Sequence, residues 1–193
     1  MKKISYILIA LTFFACKDGK KTNSTENTED KKEVEITKEV IDEEEEALPI
    51  IVGTQTREAI SSEPYDSWFA PTYATYPVDK ETAEKVQPLM TDVNVKIFMG
   101  TWCSDSQREV PQFYKILDKM DISNDIITLI TVDEDKTTPE NLEEGLDITN
   151  VPTFIFYKDG KEINRIVESP VISLEKDMLS ILSGEDYKHI YAE

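Results

Sequence analysis

The sequence predicts an α/β fold, a mixed β-sheet flanked by helices, with an N-terminal extension and a disordered acidic tether ahead of it. Three observations carry this. Short apolar runs at 95–99 and 126–132 read as buried strands on either side of a helical stretch at 104–120. Two further strand-like runs, 153–157 and 162–167, are joined by Lys158-Asp159-Gly160-Lys161, a hairpin signal. The resulting order of strand, helix, strand, helix, strand, strand, helix requires both parallel and antiparallel pairing.

At the amino terminus, Lys2 and Lys3 precede an apolar run at 4–14 and then Ala15 and Cys16. Residues 1–15 are therefore expected to be a signal peptide, since the run is too short to span a bilayer as a helix. Phe13-Phe14-Ala15-Cys16 resembles the lipobox of bacterial lipoproteins, with Phe13 where leucine is usual. The resemblance implies cleavage before Cys16, acylation of Cys16 and a membrane anchor in the bacterial cell envelope, facing the periplasm. An ordinary signal peptide or an uncleaved anchor with an incidental cysteine is the alternative. Lys17 stands where an aspartate is associated with inner-membrane retention, which points to the outer membrane.

Residues 16–46 follow as the tether. Between 17 and 46 six lysines face twelve acids, a net of −6, and no aromatic residue is present. Such a segment buries too little apolar surface to offset the entropy of ordering.

Residues 47–92 read as an N-terminal extension packed on the domain. It opens with the apolar run 48–52, ended by Gly53, and a helix-like stretch at 57–61. Tyr65, Trp68, Phe69, Tyr73 and Tyr76, interrupted by Pro64, Pro71 and Pro77, read as a packed loop covering the core, with a groove beside the reactive site as the alternative. Residues 79–89 read as a helix, with Ala83, Val86, Leu89 and Met90 at helical spacing. The domain proper is expected at 93–184. Its 104–120 helix contains Pro111, a short helix is expected at 140–146, and a last helix at 174–182 ends at Gly184. Residues 185–193 form a C-terminal tail.

The formal net charge of −18 argues against nucleic acid as a partner. One histidine, His189, and so few cysteines cannot assemble a zinc or haem site, so no metal and no cofactor are expected. Asp133-Glu134-Asp135 lacks the spacing of a calcium loop and reads as a solvated turn.

Chemistry concentrates at Trp102-Cys103-Ser104-Asp105-Ser106, where a buried strand gives way to a helix. The chain has only two cysteines, so an acylated Cys16 leaves Cys103 without an intramolecular partner. This stretch resembles the thioredoxin superfamily, whose motif is Trp-Cys-x-x-Cys, with Ser106 in the second cysteine position. Val151-Pro152-Thr153 opens the next strand, and Gly160 follows at the family's spacing. The resemblance covers about 93–183. It implies a thioredoxin-like fold, a nucleophilic Cys103, and a cis-proline at Pro152 whose Val151 and Thr153 neighbours bind extended, cysteine-containing substrates. Ile97 stands where the family often has a buried aspartate serving the resolving cysteine.

Free amides at a helix start favour an anion, so the thiolate of Cys103 gains there, while the charge of Asp105 opposes it. A serine cannot form the sulfur–sulfur bond that releases a substrate. The expected activity is monothiol thiol–disulfide exchange, completed by an outside thiol. Expected partners are cysteine-containing envelope proteins or small thiols, and a second copy in a disulfide-linked dimer. The alternatives are a non-catalytic peptide-binding module and a thiol redox sensor. Arg108 and Glu109 read as an exposed helical face.

Overall fold

The computed structural model describes residues 47–192. The expected signal peptide, Cys16 and the expected tether lie outside the described residues. Within them, five strands form one sheet in the order β1-β3-β2-β4-β5. The strands are β1 (Gly53–Gln55), β2 (Val93–Met99), β3 (Ile127–Thr131), β4 (Thr153–Lys158) and β5 (Lys161–Val167). β2 and β3 are parallel, and every other neighbouring pair is antiparallel. The expected mixed sheet flanked by helices is what the chain forms.

The central strand β2 runs buried on both faces over its second half, where Ile97, Phe98 and Met99 are all fully covered. Its two edges are paired with β3 and β4, and the two parts of the core cover its faces. The turn between β4 and β5 places Asp159 at φ 52° and Gly160 at φ 73°, the left-handed pair that lets a two-residue hairpin follow the strand twist.

Among the described residues five α-helices accompany the sheet: α1 (Arg57–Ser61), α2 (Asp66–Thr75), α3 (Lys80–Val86), α4 (Ser104–Lys119) and α5 (Leu174–Ser183). Their starts are capped as their sequences dictate. Thr56, Asp79 and Ser173 each accept a backbone N–H from the first turn of α1, α3 and α5. α5 stops at Gly184, in the left-handed region at φ 75°, with Gly184 N–H on the Ile181 carbonyl and Glu185 N–H on Ser180. Pro111 sits inside α4, which continues through it.

The core has two parts. The larger joins Val95, Ile97 and Met99 of β2 to Phe113, Ile116 and Leu117 of α4 and Met178 of α5. The smaller centres on Phe98, Ile130, Val132, Val151 and Ile155. Leu142, Leu146 and Ile148 cover it, together with Trp102 and Cys103.

Two expectations are corrected. The aromatic stretch read as a loop contains helix α2, with Pro71 inside it. Its only fully buried residue is Phe69, while Trp68, Tyr73 and Tyr76 pack partly buried against the core. The expected helix at 140–146 is absent, and turns take its place. Asn141 and Asp147, both at φ 54°, and Gly145 at φ 73° hold left-handed backbone that a helix cannot include. The first strand starts at Gly53, where the apolar run 48–52 ends, and pairs with β3.

Candidate functional site

β2 is released at Met99, and four residues turn the chain into α4. The Cys103 N–H bonds the Gly100 carbonyl at 3.1 Å, closing a tight turn. Cys103 is the N-cap of α4, with extended backbone, and its carbonyl accepts from Gln107 N–H at 3.0 Å. The sulfur is thus held at the head of a 16-residue helix, half-buried, beside the free amides of its first turn.

Opposite it lies the cis peptide bond between Val151 and Pro152. The Cys103 thiol donates to the Val151 carbonyl at 3.2 Å, across 48 residues of sequence. The far side of this strand entry is braced by Glu168, whose N–H bonds the Pro152 carbonyl at 2.7 Å. Asn150 donates to the Glu168 carboxylate at 3.3 Å, and the Tyr191 hydroxyl also donates to it. The C-terminal tail therefore reaches the rim of the site.

The turn is supported from within. Trp102 donates its indole N–H to the Val132 carbonyl at 3.1 Å. Gln107 donates to the Thr101 carbonyl at 2.7 Å. Ser106 is fully buried, and its hydroxyl oxygen accepts the Gly100 N–H at 3.2 Å. Ser106 is a structural acceptor at the base of the turn.

Of the residues singled out from sequence, Trp102, Cys103, Ser106, Val151 and Pro152 are brought together. Ser104 is exposed on the first turn of α4, and Thr153 turns inward, its hydroxyl on the Asn150 carbonyl at 2.6 Å. Asp105 is held by Arg108, Nη2 to Oδ1 at 2.6 Å. Arg108 is exposed, as expected, whereas Glu109 departs from the exposed face expected of it. Glu109 is buried, with its carboxylate on Arg108 Nε at 2.7 Å, and Arg108 Nη2 also reaches the Ser169 hydroxyl at 3.0 Å. Burial pushes the Glu109 carboxyl above its ordinary value, and the Arg108 guanidinium offsets only part of this. Burial weakens the charge of Arg108, but its bonds to Glu109 and Asp105 more than restore it.

Gly100, Glu168, Ser169 and Tyr191 carried no readable signal in the sequence, because their roles depend on contacts between distant segments. Glu168 at φ 63° is one such case. Asp133 is engaged locally, accepting Thr137 N–H and O–H at 2.8 and 2.9 Å. Among the described residues no group of three or more His, Cys, Asp or Glu side chains gathers to hold a metal, and no helix is long and apolar enough to cross a membrane.

A mixed sheet with a cysteine heading the helix after its central strand, facing a cis-proline, places the chain in a class of α/β proteins with a thiol at a strand-to-helix turn. The thioredoxin family model matches residues 76–179, more than half of the chain, and the chain belongs to the thioredoxin family. A thioredoxin from Coprinus comatus is 32% identical over 78 residues, 40% of this chain and 70% of that protein. Thioredoxin-like protein R548 of Acanthamoeba polyphaga mimivirus is 27% identical over 82 residues, 42% of this chain, and the match spans 57% of that protein's length. Among solved structures, a Pseudomonas aeruginosa protein, PA1234, covers 62% of this chain and 84% of its own, at 14% identity and a TM-score of 0.48.

Proposed function

We propose that this protein carries out monothiol thiol–disulfide exchange through Cys103. The observation that carries the reading is the position of the sulfur: at the head of α4, half-exposed, and on the Val151 carbonyl that precedes Pro152. A thiolate cannot donate a hydrogen bond, so ionisation of Cys103 frees the sulfur from that carbonyl and turns it toward the incoming substrate. The thiol proton passes to water. The thiolate then attacks one sulfur of a substrate disulfide, forming the Cys103 mixed disulfide and expelling the other sulfur as a thiolate.

The position three residues on in α4 holds Ser106, buried and engaged with Gly100. The mixed disulfide persists until an outside thiolate attacks it and returns Cys103 as the leaving group. Where the outside thiol belongs to the same substrate, the net result is isomerisation. Where it is a separate small thiol, that thiol is left in a mixed disulfide with the substrate, and a second small thiol must attack this bond to release the substrate reduced and leave the two small thiols as a disulfide.

The reading includes the cell envelope, with Cys16 acylated, the acidic stretch 16–46 as a spacer, and cysteine-containing envelope proteins as clients. The lysine pair, the apolar run and the Ala15-Cys16 junction support it. Loss of labelled-palmitate incorporation in Cys16→Ala tests the anchor.

The decisive test of the chemistry compares the wild type with Cys103→Ala in a disulfide-exchange assay supplied with a small external thiol. A rate that depends on Cys103, with a mixed disulfide recoverable by acid quench, is the expected result. Equal rates for the two proteins refute the proposal.

A further inference from the structure

The Arg108 guanidinium makes three contacts at once. Nη2 lies 2.6 Å from Asp105 Oδ1 and 3.0 Å from Ser169 Oγ, while Nε lies 2.7 Å from Glu109 Oε1. Two of these partners are on α4, and the third is on the segment that follows β5. That segment is the one whose Glu168 N–H bonds the Pro152 carbonyl. One side chain thus links the helix headed by Cys103 to the segment that braces the cis-proline.

We propose that Arg108 is a positioning residue of the exchange site: it masks the Asp105 carboxylate two residues from Cys103 and staples the first turns of α4 to Ser169, which follows the Glu168 bonded to Pro152. This deepens the exchange reading and rests on it. The physical need is plain. Asp105 lies in the turn whose amides favour an anion, and an unmasked carboxylate there repels both the thiolate and any anionic substrate approaching it. Lysine, with a single point of charge, cannot hold a carboxylate, a hydroxyl and a second carboxylate in fixed directions as a planar fork does.

The charged groups around the fork are few. On α4 they are Asp105 and Glu109. From the segment after β5 comes Glu168, already bonded to Asn150 and Tyr191. Behind Glu109 stand Tyr76, which feels the Glu109 charge, and Glu175, which accepts the Tyr76 hydroxyl at 2.9 Å. Of these carboxylates, Asp105 and Glu109 are the two that Arg108 contacts directly.

The test reads charge at the sulfur directly. Cys103 is alkylated with neutral iodoacetamide and with anionic iodoacetate, and the ratio of the two rates is compared across variants. Removing Arg108 alone orphans the buried Glu109, so the comparison is made in a Glu109→Gln background, where no buried charge is stranded. There Arg108→Gln is expected to lower the iodoacetate-to-iodoacetamide ratio about threefold, and adding Asp105→Asn is expected to restore it. Arg108→Lys should keep the ratio within about twofold of its parent.

An unchanged ratio on Arg108→Gln overturns the proposal, and so does an equal slowing of both reagents, which is the signature of a purely structural role. Alkylation requires only a reachable sulfur. A wild type that alkylates normally but exchanges no disulfide therefore counts against the exchange reading, while the ratio still decides the role of Arg108.

Discussion

Gly100 and Trp102 interlock at the turn that delivers Cys103: a β-carbon on Gly100 would stand 2.5 Å from the indole ring. The ring is anchored, because its N–H is bonded to the Val132 carbonyl. It cannot back away without breaking that bond and uncovering Val132 and Phe98, which it helps to shield.

Gly100→Ala should therefore displace the indole and disturb the sulfur with it. A stability loss of about 1–3 kcal/mol is expected, as for other overpacked sites. Exchange should slow in parallel. Trp68→Phe gives a suitable background, because the Trp68 indole nitrogen is buried without a partner and its loss removes the only other tryptophan signal. In that background a red-shifted Trp102 emission in Gly100→Ala is the expected readout. An unshifted spectrum with full activity would show that the turn tolerates the methyl group.

Ser106 supplies the second prediction. Ser106→Ala leaves the Gly100 N–H without an acceptor in a buried place, at a cost of about 1–3 kcal/mol. Ser106→Cys instead installs a second thiol one helical turn from Cys103. The mixed disulfide that accumulates on the wild type should then fail to accumulate. Intact mass should show a species lighter by two hydrogens, in which Cys103 is bonded to the introduced sulfur. Persistence of the mixed disulfide in Ser106→Cys would mean that resolution is blocked by geometry rather than by the missing thiol.

What the sequence discloses and what it conceals have different physical origins. The strands β2 to β5 and the helices α3, α4 and α5 announce themselves because each buries a regular set of side chains, and Asp159-Gly160 marks its turn by chemistry. α2 was hidden because its aromatic residues do not form one apolar stripe, and because Pro71, at the sixth position of the helix, reads as a breaker. The segment 140–146 has helical spacing at Leu142 and Leu146, but Asn141, Gly145 and Asp147 adopt backbone that only the fold could reveal. At the site, Cys103, Ser106 and Val151-Pro152 were legible as a motif. Arg108 was not, because Ser169 is 61 residues away and nothing local marks the pairing.

The loop after β5 is fastened by Asp177, a buried carboxylate on α5. It accepts Val171 N–H at 2.6 Å, Ile172 N–H at 3.1 Å and the Tyr187 hydroxyl at 2.9 Å. An asparagine there offers one acceptor oxygen and turns donors toward donors. Asp177→Asn should cost about 2–4 kcal/mol, whereas Tyr187→Phe, which removes one bond and leaves the carboxylate with its amides, should cost about 1 kcal/mol. Urea melts of the two variants check the order. Because the same loop carries Ser169 and Glu168, Asp177→Asn should also slow exchange. Equal stability of both variants would show that the carboxylate is not the fastener.

Two carboxylates set opposite pH dependences. Burial alone would raise the Asp118 carboxyl, but Arg57, paired with it through both oxygens at 2.8 and 2.7 Å, and the Tyr73 hydroxyl at 2.7 Å outweigh this and hold it below the ordinary carboxylate range. Its folded value lies below its unfolded one, so its contribution is present above the ordinary carboxylate range and is lost as pH falls through the folded value. Glu109 is raised by burial, so its folded value lies above its unfolded one, and stability is lost instead as pH rises from the ordinary glutamate range through the raised value. Thermal melts across roughly pH 3 to 8 should separate the two. The Tm gap between the wild type and Asp118→Asn should be widest near neutrality and close in acid. Glu109→Gln should gain on the wild type as pH rises through the raised Glu109 value. A gap for Asp118→Asn that stays constant down to the acid limit would mean that Arg57 and Tyr73 hold the neutral carboxyl as well as the charged one.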